Sequence, residues 1–361
     1  MGIFDGLFGK SETLIGLDIG NSGVKLLEFD LSTEHPTLRS AVSAQFEREI
    51  FENYIIQDID HAAEVIAGLI DQSGIQGKRV VTSMPGPSVF TKKVKMPKSN
   101  ISELAQSIQF EAASFIPHSI DAVKLDFHVL GEDASGQLDV LVVAVKNEII
   151  DSFLDTIGMA GLETAIVDVD YFAFQNMFEL SYPEYLVETT ALIDIGQRYS
   201  SVNICCEGKS MFTGDISVGT KDFVEPLKTK LEITTSEAES ILLAKLENYA
   251  RADEALEIID EVLEKSVEAL NRQLSFFWNA SGAEEGIDRI MVGGGGSSIP
   301  RLAEKLADKT GVETERLNSF RTIDVAQVLD AESINELAPI MGVAVGLGIR
   351  QTGDKQVADL E

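Results

Sequence analysis

The sequence predicts an α/β protein of two related lobes facing each other across a cleft, with a smaller α+β module inserted in the first lobe. Three observations predict it. The chain has 361 residues, more than one hydrophobic core usually serves. A strand-turn-strand pattern around Asp-Ile-Gly occurs twice, at Asp18-Ile19-Gly20 and at Asp194-Ile195-Gly196. Late in the chain, a buried-strand signal at Asp288 to Val292 runs into Gly293 to Gly296 and then into a helical segment.

The first hairpin is an apolar run from Thr13 to Gly20 that resumes after a polar break as Gly23 to Asp30. The second repeats the design: Ala191 to Gly196, a break from Gln197 to Ser201, then Val202 to Cys205. The chain therefore reads as duplicated, with halves starting near residues 13 and 190. This divides it into a first lobe at 1–189, a second at 190–342 with a helical subdomain at 222–286, and a C-terminal helix and tail at 343–361 that return to the first lobe. Between the hairpins come a helix around Ala62 to Ser73 and a strand at Arg79 to Ser83. Pro85-Gly86-Pro87 then breaks the lobe, and Val89 to Met96 reads as an exposed strand. A helix follows with Ile101, Leu104, Ile108, Ala112 and Phe115 on one face, ending before Pro117. Strands at Lys124 to Leu130 and Leu138 to Val145, and a helix at Glu148 to Ala160, complete an inserted module at 86–168. In the second half, Ser236 to Trp278 reads as a long acidic helical region. Its Leu263, Val267, Leu270, Leu274 and Phe277 cover only about two heptads, which favours an amphipathic helix packed on its own lobe over a coiled coil. Pro300 suits the first turn of a helix running to Lys309.

Composition excludes several classes. The formal charge of -30, from 59 acidic and 29 basic residues, repels phosphate backbones and argues against nucleic acid as a partner. A nucleotide stays possible, because backbone N–H groups and magnesium neutralise phosphates without net positive charge. The only cysteines, Cys205 and Cys206, are adjacent and can staple nothing distant, which fits a reducing cytoplasm. His35, His61, His118 and His128 are scattered, so no Cys/His cluster has zinc spacing. No run approaches the roughly 20 apolar residues of a membrane-spanning helix. The apolar stretch Gly2 to Lys10 carries Asp5 where a signal peptide is basic, and Gly6 breaks the myristoylation pattern. It reads as a tail folded onto its own domain or touching a surface or partner.

The motifs carry a phosphate chemistry. In Asp18-Ile19-Gly20-Asn21-Ser22-Gly23-Val24-Lys25, an Asp at the end of a buried strand can hold Mg²⁺ through water. Gly20, Asn21 and Gly23 allow backbone N–H groups to reach phosphate oxygens, Ser22 adds a hydroxyl, and Lys25 returns as a point charge. Asp194, Gly196, Gln197, Arg198, Tyr199 and Ser200 form the second such turn, and a pseudo-twofold would clamp one polyphosphate between the two. Gly293, Gly294, Gly295, Gly296 and Ser297 offer bare backbone for a flat adenine and ribose. Neither a G-x-G-x-x-G fingerprint nor a Walker A sequence occurs.

Together these turns resemble the phosphate-1, phosphate-2 and adenosine motifs of the actin, Hsp70 and sugar-kinase superfamily. That resemblance implies a duplicated actin-like (ribonuclease H-like) ATPase fold binding ATP and Mg²⁺. In it, Asp18 and Asp194 stand at the metal, while Gly219 and Glu239 join the nucleotide site. A position in the base-binding helix where relatives carry Lys is apolar here, which bears on adenine specificity. Val167 to Asp170 could supply a water-positioning acid, with a helix N-cap as the other role for Asp170.

Within the superfamily, Gly16 to Leu27, Val80 to Pro97, the helix ending Gln109 to Pro117, and Val343 to Arg350 resemble the PilM family of type IV pilus assembly proteins. What this implies is an ATP-binding scaffold at the cytoplasmic face of the inner membrane, peripheral through its partners and at most a weak ATPase. It would grip the N-terminal peptide of PilN in a groove lined by Val89, Phe90, Lys92, Ile108 and Phe115, and connect indirectly to the pilus motor ATPases. Homodimerisation stays open. The basic cluster Lys92, Lys93, Lys95 and Lys98 reads either as a patch for acidic groups or as protection of an edge strand. A filament-forming cell-division protein and a small-molecule kinase are the alternative functions on the same fold. The short acidic tail Gln351 to Glu361 speaks against the first, and the lack of a singled-out general base against the second.

Overall fold

The computed structural model describes residues 13–33, 35–242, 246, 249–280 and 286–354, so the apolar stretch at 2–10 and the end of the acidic tail lie outside the described residues. In the first lobe, β1 (Ile15–Ile19), β2 (Gly23–Asp30) and β3 (Thr37–Gln45) form an antiparallel meander. A two-residue-per-arm hairpin, β4 (Phe51–Glu52) and β5 (Ile55–Ile56), leads to α1 (Ile59–Ser73). The Asp58 side chain caps α1 by accepting from His61 N at 3.2 Å, and Gly74 ends it in the left-handed region at φ 71°. Then β6 (Arg79–Met84) pairs parallel to β1.

The module follows as β7 (Val89–Pro97), α2 (Ile101–Ala112), β8 (Val123–Glu132) and β9 (Gln137–Lys146), a sheet of order β7-β9-β8. The α2 residues Leu104 and Ile108 pack with Met96, Leu138, Val140 and Val142 of the sheet. Next come α3 (Asn147–Met159) and β10 (Glu163–Val169). The expected module boundary of 86–168 is too wide. Strand β10 pairs with β6 in the first lobe's sheet, of order β10-β6-β1-β2-β3. Ile149, Ile150, Phe153 and Ile157 of α3 are buried with Ile66 and Leu69 of α1, so the module proper ends with β9. Helix α2 also stops at Ala112, which leaves Phe115 in the turn beyond it.

Helix α4 (Asp170–Ser181) crosses to the second lobe. There β11 (Thr190–Ile195), β12 (Ser200–Cys206) and β13 (Lys209–Ile216) repeat the meander. They are followed by α5 (Lys221–Leu231), α6 (Thr235–Leu242) and α7 (Ala252–Ala280). The helical region expected from Ser236 to Trp278 is thus divided between α6 and α7. The heptad-like residues Leu263, Val267, Leu270, Leu274 and Phe277 of α7 are all buried in the core of their own lobe, as an amphipathic helix requires. Then β14 (Arg289–Gly293) pairs parallel to β11, α8 (Leu302–Thr310) returns, and β15 (Glu313–Arg316) completes a sheet of order β13-β12-β11-β14-β15. Pro300 lies in the turn before α8, which starts two residues later than expected because Arg301 takes a left-handed conformation, φ 63°. Short α9 (Ala331–Leu337) and α10 (Gly342–Gly348) end the described chain.

The two sheets share one core. Leu27, Phe29 and Val81 from the first and Leu192, Cys205 and Met291 from the second pack against Ala173, Phe174, Met177 and Phe178 of α4 and Val343, Ala344 and Leu347 of α10. Glycines let α10 seat backbone on backbone. A Cβ on Gly346 would stand 1.7 Å from Ala173 O, and one on Gly16 would stand 2.4 Å from Ala344 O. Arg350, just beyond α10, is ion-paired with Asp168 at the end of β10, which anchors this helix to the first lobe. Neither partner backbone can retreat without opening the shared core. Gly346→Ala is expected to destabilise the protein by about 1–3 kcal/mol, read as a lower thermal-melt midpoint, whereas Gly68→Ala, at a position where a Cβ meets nothing, should leave the midpoint unchanged or higher.

Candidate functional site in the cleft between the lobes

The two Asp-Ile-Gly hairpins close in the same way. Gly20 N donates to Gly23 O at 2.9 Å, and Gly196 N to Tyr199 O at 3.0 Å. In the first, Asp18 and Lys25 are register partners, and Lys25 Nζ donates to Asp18 Oδ2 at 2.7 Å. Both tips face one cavity of about 250 Å³. It is lined by Asp18, Gly20, Asn21, Ser22, Gly23 and Lys25 from the first lobe and by Asp194, Gly196, Gln197, Tyr199, Glu239, Gly294 and Gly295 from the second.

Charge at the site is unbalanced. Burial pushes the Asp194 carboxyl up to about 6; Lys25 opposes this and the charge of Asp18 adds to it. Burial also depresses Lys25, but Asp18 and Asp194 outweigh it, leaving the ammonium held above its ordinary value. One cation thus serves two carboxylates in a desolvated pocket. Gly294 shows why the glycine run is needed beside them: its φ is 77°, and a Cβ would stand 2.3 Å from Asp194 Oδ1 and 2.5 Å from Ile195 O.

Other expected nucleotide contacts turn out to support the site from behind. Gly293 packs on Phe174 and Gly296 on Ile195, while Ser297 Oγ donates to Gly294 O at 2.7 Å. The Ser200 hydroxyl is buried and donates to Val218 O at 2.7 Å. Gly219 is where α5 meets the second turn: a Cβ would stand 2.3 Å from Gln197 O, and Lys221 N donates to that same oxygen at 3.0 Å. Arg198 turns out of the cavity to Glu49, at 3.3 Å. Glu239 does reach the cavity, with Leu242 one helical turn away as the apolar neighbour, and burial raises the Glu239 carboxyl.

Asp170 is not a helix cap. Val169 occupies that position, and the buried Asp170 carboxylate accepts from Gly86 N at 2.9 Å, from its neighbour Tyr171 N at 2.6 Å and from the Tyr199 hydroxyl at 3.1 Å. It joins the root of the module to the second hairpin. Asp170 is itself part of the lining, and sequence reasoning missed Ser43, Ser83, Thr220, Ile340 and Val343, which also line the cavity. Thr220, in the residue before α5, was findable as a polar residue after Gly219. Ile340 and Val343 were not, because only the docking of α10 brings an apolar pair to the cleft.

On the module, the Phe90 and Phe115 rings stack with centroids 6.1 Å apart, and Lys92 Nζ sits 4.4 Å from the centre of Phe115. Val89 packs toward the first lobe's core, while Ile108 is buried inside the module and lines no open groove. The other lysines are engaged within the fold. Lys93 Nζ donates to Ser210 O of β13 at 2.5 Å, Lys95 pairs with Asp133, and Lys98 lies 3.0 Å from Glu132. That is the edge-protecting arrangement, not a patch awaiting acidic groups.

Among the described residues, no three His, Cys, Asp or Glu converge as metal ligands, and no helix is long and apolar enough to cross a membrane. A doubled β-meander with helices packed between the two sheets and two acidic hairpins at one cleft defines an actin-like fold. Among solved structures, the PilM protein of a PilM–PilN type IV pilus biogenesis complex is similar at 26% identity and a TM-score of 0.83, over 95% of this chain and 99% of that one. The ethanolamine utilization protein EutJ from Carboxydothermus hydrogenoformans shares the fold at 13% identity and a TM-score of 0.53, over 94% and 90%. MreB 5 of Spiroplasma citri, bound to AMPPNP, shares it at 11% and 0.50, over 94% and 95%. The family model described as type IV pilus assembly protein PilM matches residues 16–352, and the chain belongs to that family.

The carboxyl of Asp194 has a consequence for stability. A carboxyl raised in the folded state stabilises the fold at pH values below its unfolded pKa, and that contribution is lost as pH rises through about 6. Asp194→Asn should therefore be more stable than the parent at pH 8 by about 1–2 kcal/mol, with the gap closing between pH 6 and pH 4. Denaturant unfolding of both at the two extremes checks this.

Proposed function

We propose that the protein is a nucleotide-held scaffold of type IV pilus assembly, which binds ATP with Mg²⁺ in the cleft and the N-terminal peptide of PilN on the inserted module. The observation that carries the cleft half is the convergence of two identically closed hairpins, each with an Asp at its strand end, on one cavity beside Gly294 and Gly295. The turns at Gly20 to Gly23 and Gly196 to Tyr199 present backbone N–H groups to a polyphosphate from both sides. Lys25 supplies a point charge. Asp18 and Asp194 fit Mg²⁺, which keeps several waters and asks for only one or two carboxylates besides phosphate oxygens. When bound, the ion neutralises the charge that these carboxylates and the phosphates would otherwise oppose. Gly294, Gly295, Glu239 and Leu242 flank the space for a base and ribose.

The site is better suited to holding than to turnover. Asp170, a buried acid of the cavity wall, accepts from Gly86 N and the Tyr199 hydroxyl on Oδ2 and from Tyr171 N on Oδ1, so three of its roughly four acceptor positions brace the fold instead of orienting a water. The partner half rests on the whole-chain likeness to the PilM of a PilM–PilN complex. On the module, Phe90, Phe115 and Lys92 form the ledge for the peptide, and Ile108 supports it from within. Through a partner anchored in the inner membrane, the protein would sit peripherally at the cytoplasmic face and relay the pilus motor's action.

Two measurements test the two halves separately. Asp18→Ala and Gly196→Glu should each weaken binding of a fluorescent ATP analogue by about tenfold or more, and equal affinity in all three proteins would remove the cleft reading. A synthetic peptide from the N-terminus of PilN should bind with a Kd in the micromolar range by calorimetry. Phe115→Ala should weaken that binding, and no heat with the parent protein would remove the peptide half of the reading.

A further inference from the structure

The second hairpin's tip is gripped from the opposite lobe. Between β3 and β4, Glu49 of the first lobe reaches over the mouth of the cleft, with Oε1 2.6 Å from Lys221 Nζ and Oε2 3.3 Å from Arg198 Nη2. Five residues on, the ring of Tyr54 meets the ring of Tyr199 edge to face, centroids 6.1 Å apart at 77°. Asn53 and Tyr54 hold this hairpin with φ of 51° and 67°, a conformation that side chains other than glycine adopt only against a cost. None of Glu49, Arg198 and Lys221 lines the cavity, but their neighbours Gln197, Tyr199 and Thr220 do. The gripped unit is stiff, because Thr220 N donates to Gly196 O at 3.0 Å and Lys221 N to Gln197 O at 3.0 Å. Pulling on Arg198 and Lys221 therefore moves the second phosphate turn and the start of α5 together. The two cations in turn hold the Glu49 carboxyl below its ordinary range, Lys221 through its hydrogen bond and Arg198 through its charge.

We infer that Glu49, with the β4–β5 hairpin behind it, is a clasp across the cleft mouth that retains the polyphosphate end of a bound nucleotide by keeping the second hairpin closed on the first. This rests on the cleft reading given above and deepens it. The clasp joins opposite charges on separate lobes, so opening requires both ion pairs to part before the turn at Gly196 to Tyr199 can withdraw. Each pair is exposed, with Glu49 61% accessible at its side chain, so salt should weaken the clasp. The same exposure means that substitution there leaves the core intact.

The test uses the full chain loaded with a fluorescent ATP analogue and chased with excess unlabelled ATP in a stopped-flow instrument. Glu49→Gln should speed release by about twofold to tenfold, the range two surface ion pairs can carry. Lys221→Met, which leaves the pair between Glu49 and Arg198 in place, should speed release less, and the double variant should release no faster than Glu49→Gln. The difference from the parent should shrink as salt is raised. Glu52→Gln, which removes an equal charge from the exposed side of the same hairpin, should release like the parent. Equal release rates for Glu49→Gln and the parent at low salt would overturn the clasp while leaving nucleotide binding in place. Absence of saturable binding by the parent would overturn both readings.

Discussion

The seating of α10 against α4 and β1 is the constraint on which the rest depends. Two five-stranded sheets can present their hairpin tips to one another only if the layer between them has a fixed thickness. That thickness is set where Gly346 meets the backbone of Ala173 and Gly16 meets that of Ala344. Glycine in a helix costs about 1 kcal/mol relative to alanine, and the seven residues of α10 include three glycines. The burial of Val343, Ala344, Val345 and Leu347 around them offsets this cost. Because the same helix brings Val343 to the cavity wall, packing and site are one arrangement.

The electrostatics follow from this spacing. A chain of charge -30 places four acids, Asp18, Asp170, Asp194 and Glu239, around one cleft with a single lysine, and burial together with the charge of Asp18 raises the Asp194 carboxyl. Such a cleft would be relieved by a cation that arrives with its own ligands. The acidity of the whole surface then works against anything that brings phosphates without that cation. Lys93, Lys95 and Lys98 of the module do not change this, since they are tied to β13 and to the β8–β9 hairpin.

Much of this was legible in the sequence, for a physical reason: strand-turn-strand units advertise themselves through apolar alternation and turn residues, and a duplication doubles the signal. Asp18, Lys25 and Asp194 were findable because the Asp-Ile-Gly turn that carries such groups occurs twice, and Gly294 because its φ of 77° favours glycine. Elsewhere the code was tertiary. Whether Ser200 and Gly219 face a ligand or brace a turn depends on β13 and α5, which lie outside the local window. The edge of the module could not be read because α3 carries the same apolar stripe whether it covers the small sheet or α1. Asp170 looked like a cap since a short acid at a helix start usually is one. Only the fold shows Gly86 and Tyr199 converging on it.

The module itself, described above as an insertion, touches both lobes. It is rooted in the first by the turn at Gly86 and by the passage from β9 to α3. Yet Thr91 Oγ1 lies 3.3 Å from Thr213 Oγ1, and Lys93 donates to the backbone of Ser210. Its first strand thus rests on the outermost strand of the second sheet. The molecule stands on three legs instead of swinging on one hinge. A rotation of one lobe on the other has to drag β7 along β13, so the surface proposed for a partner and the cleft proposed for a ligand share a common bearing.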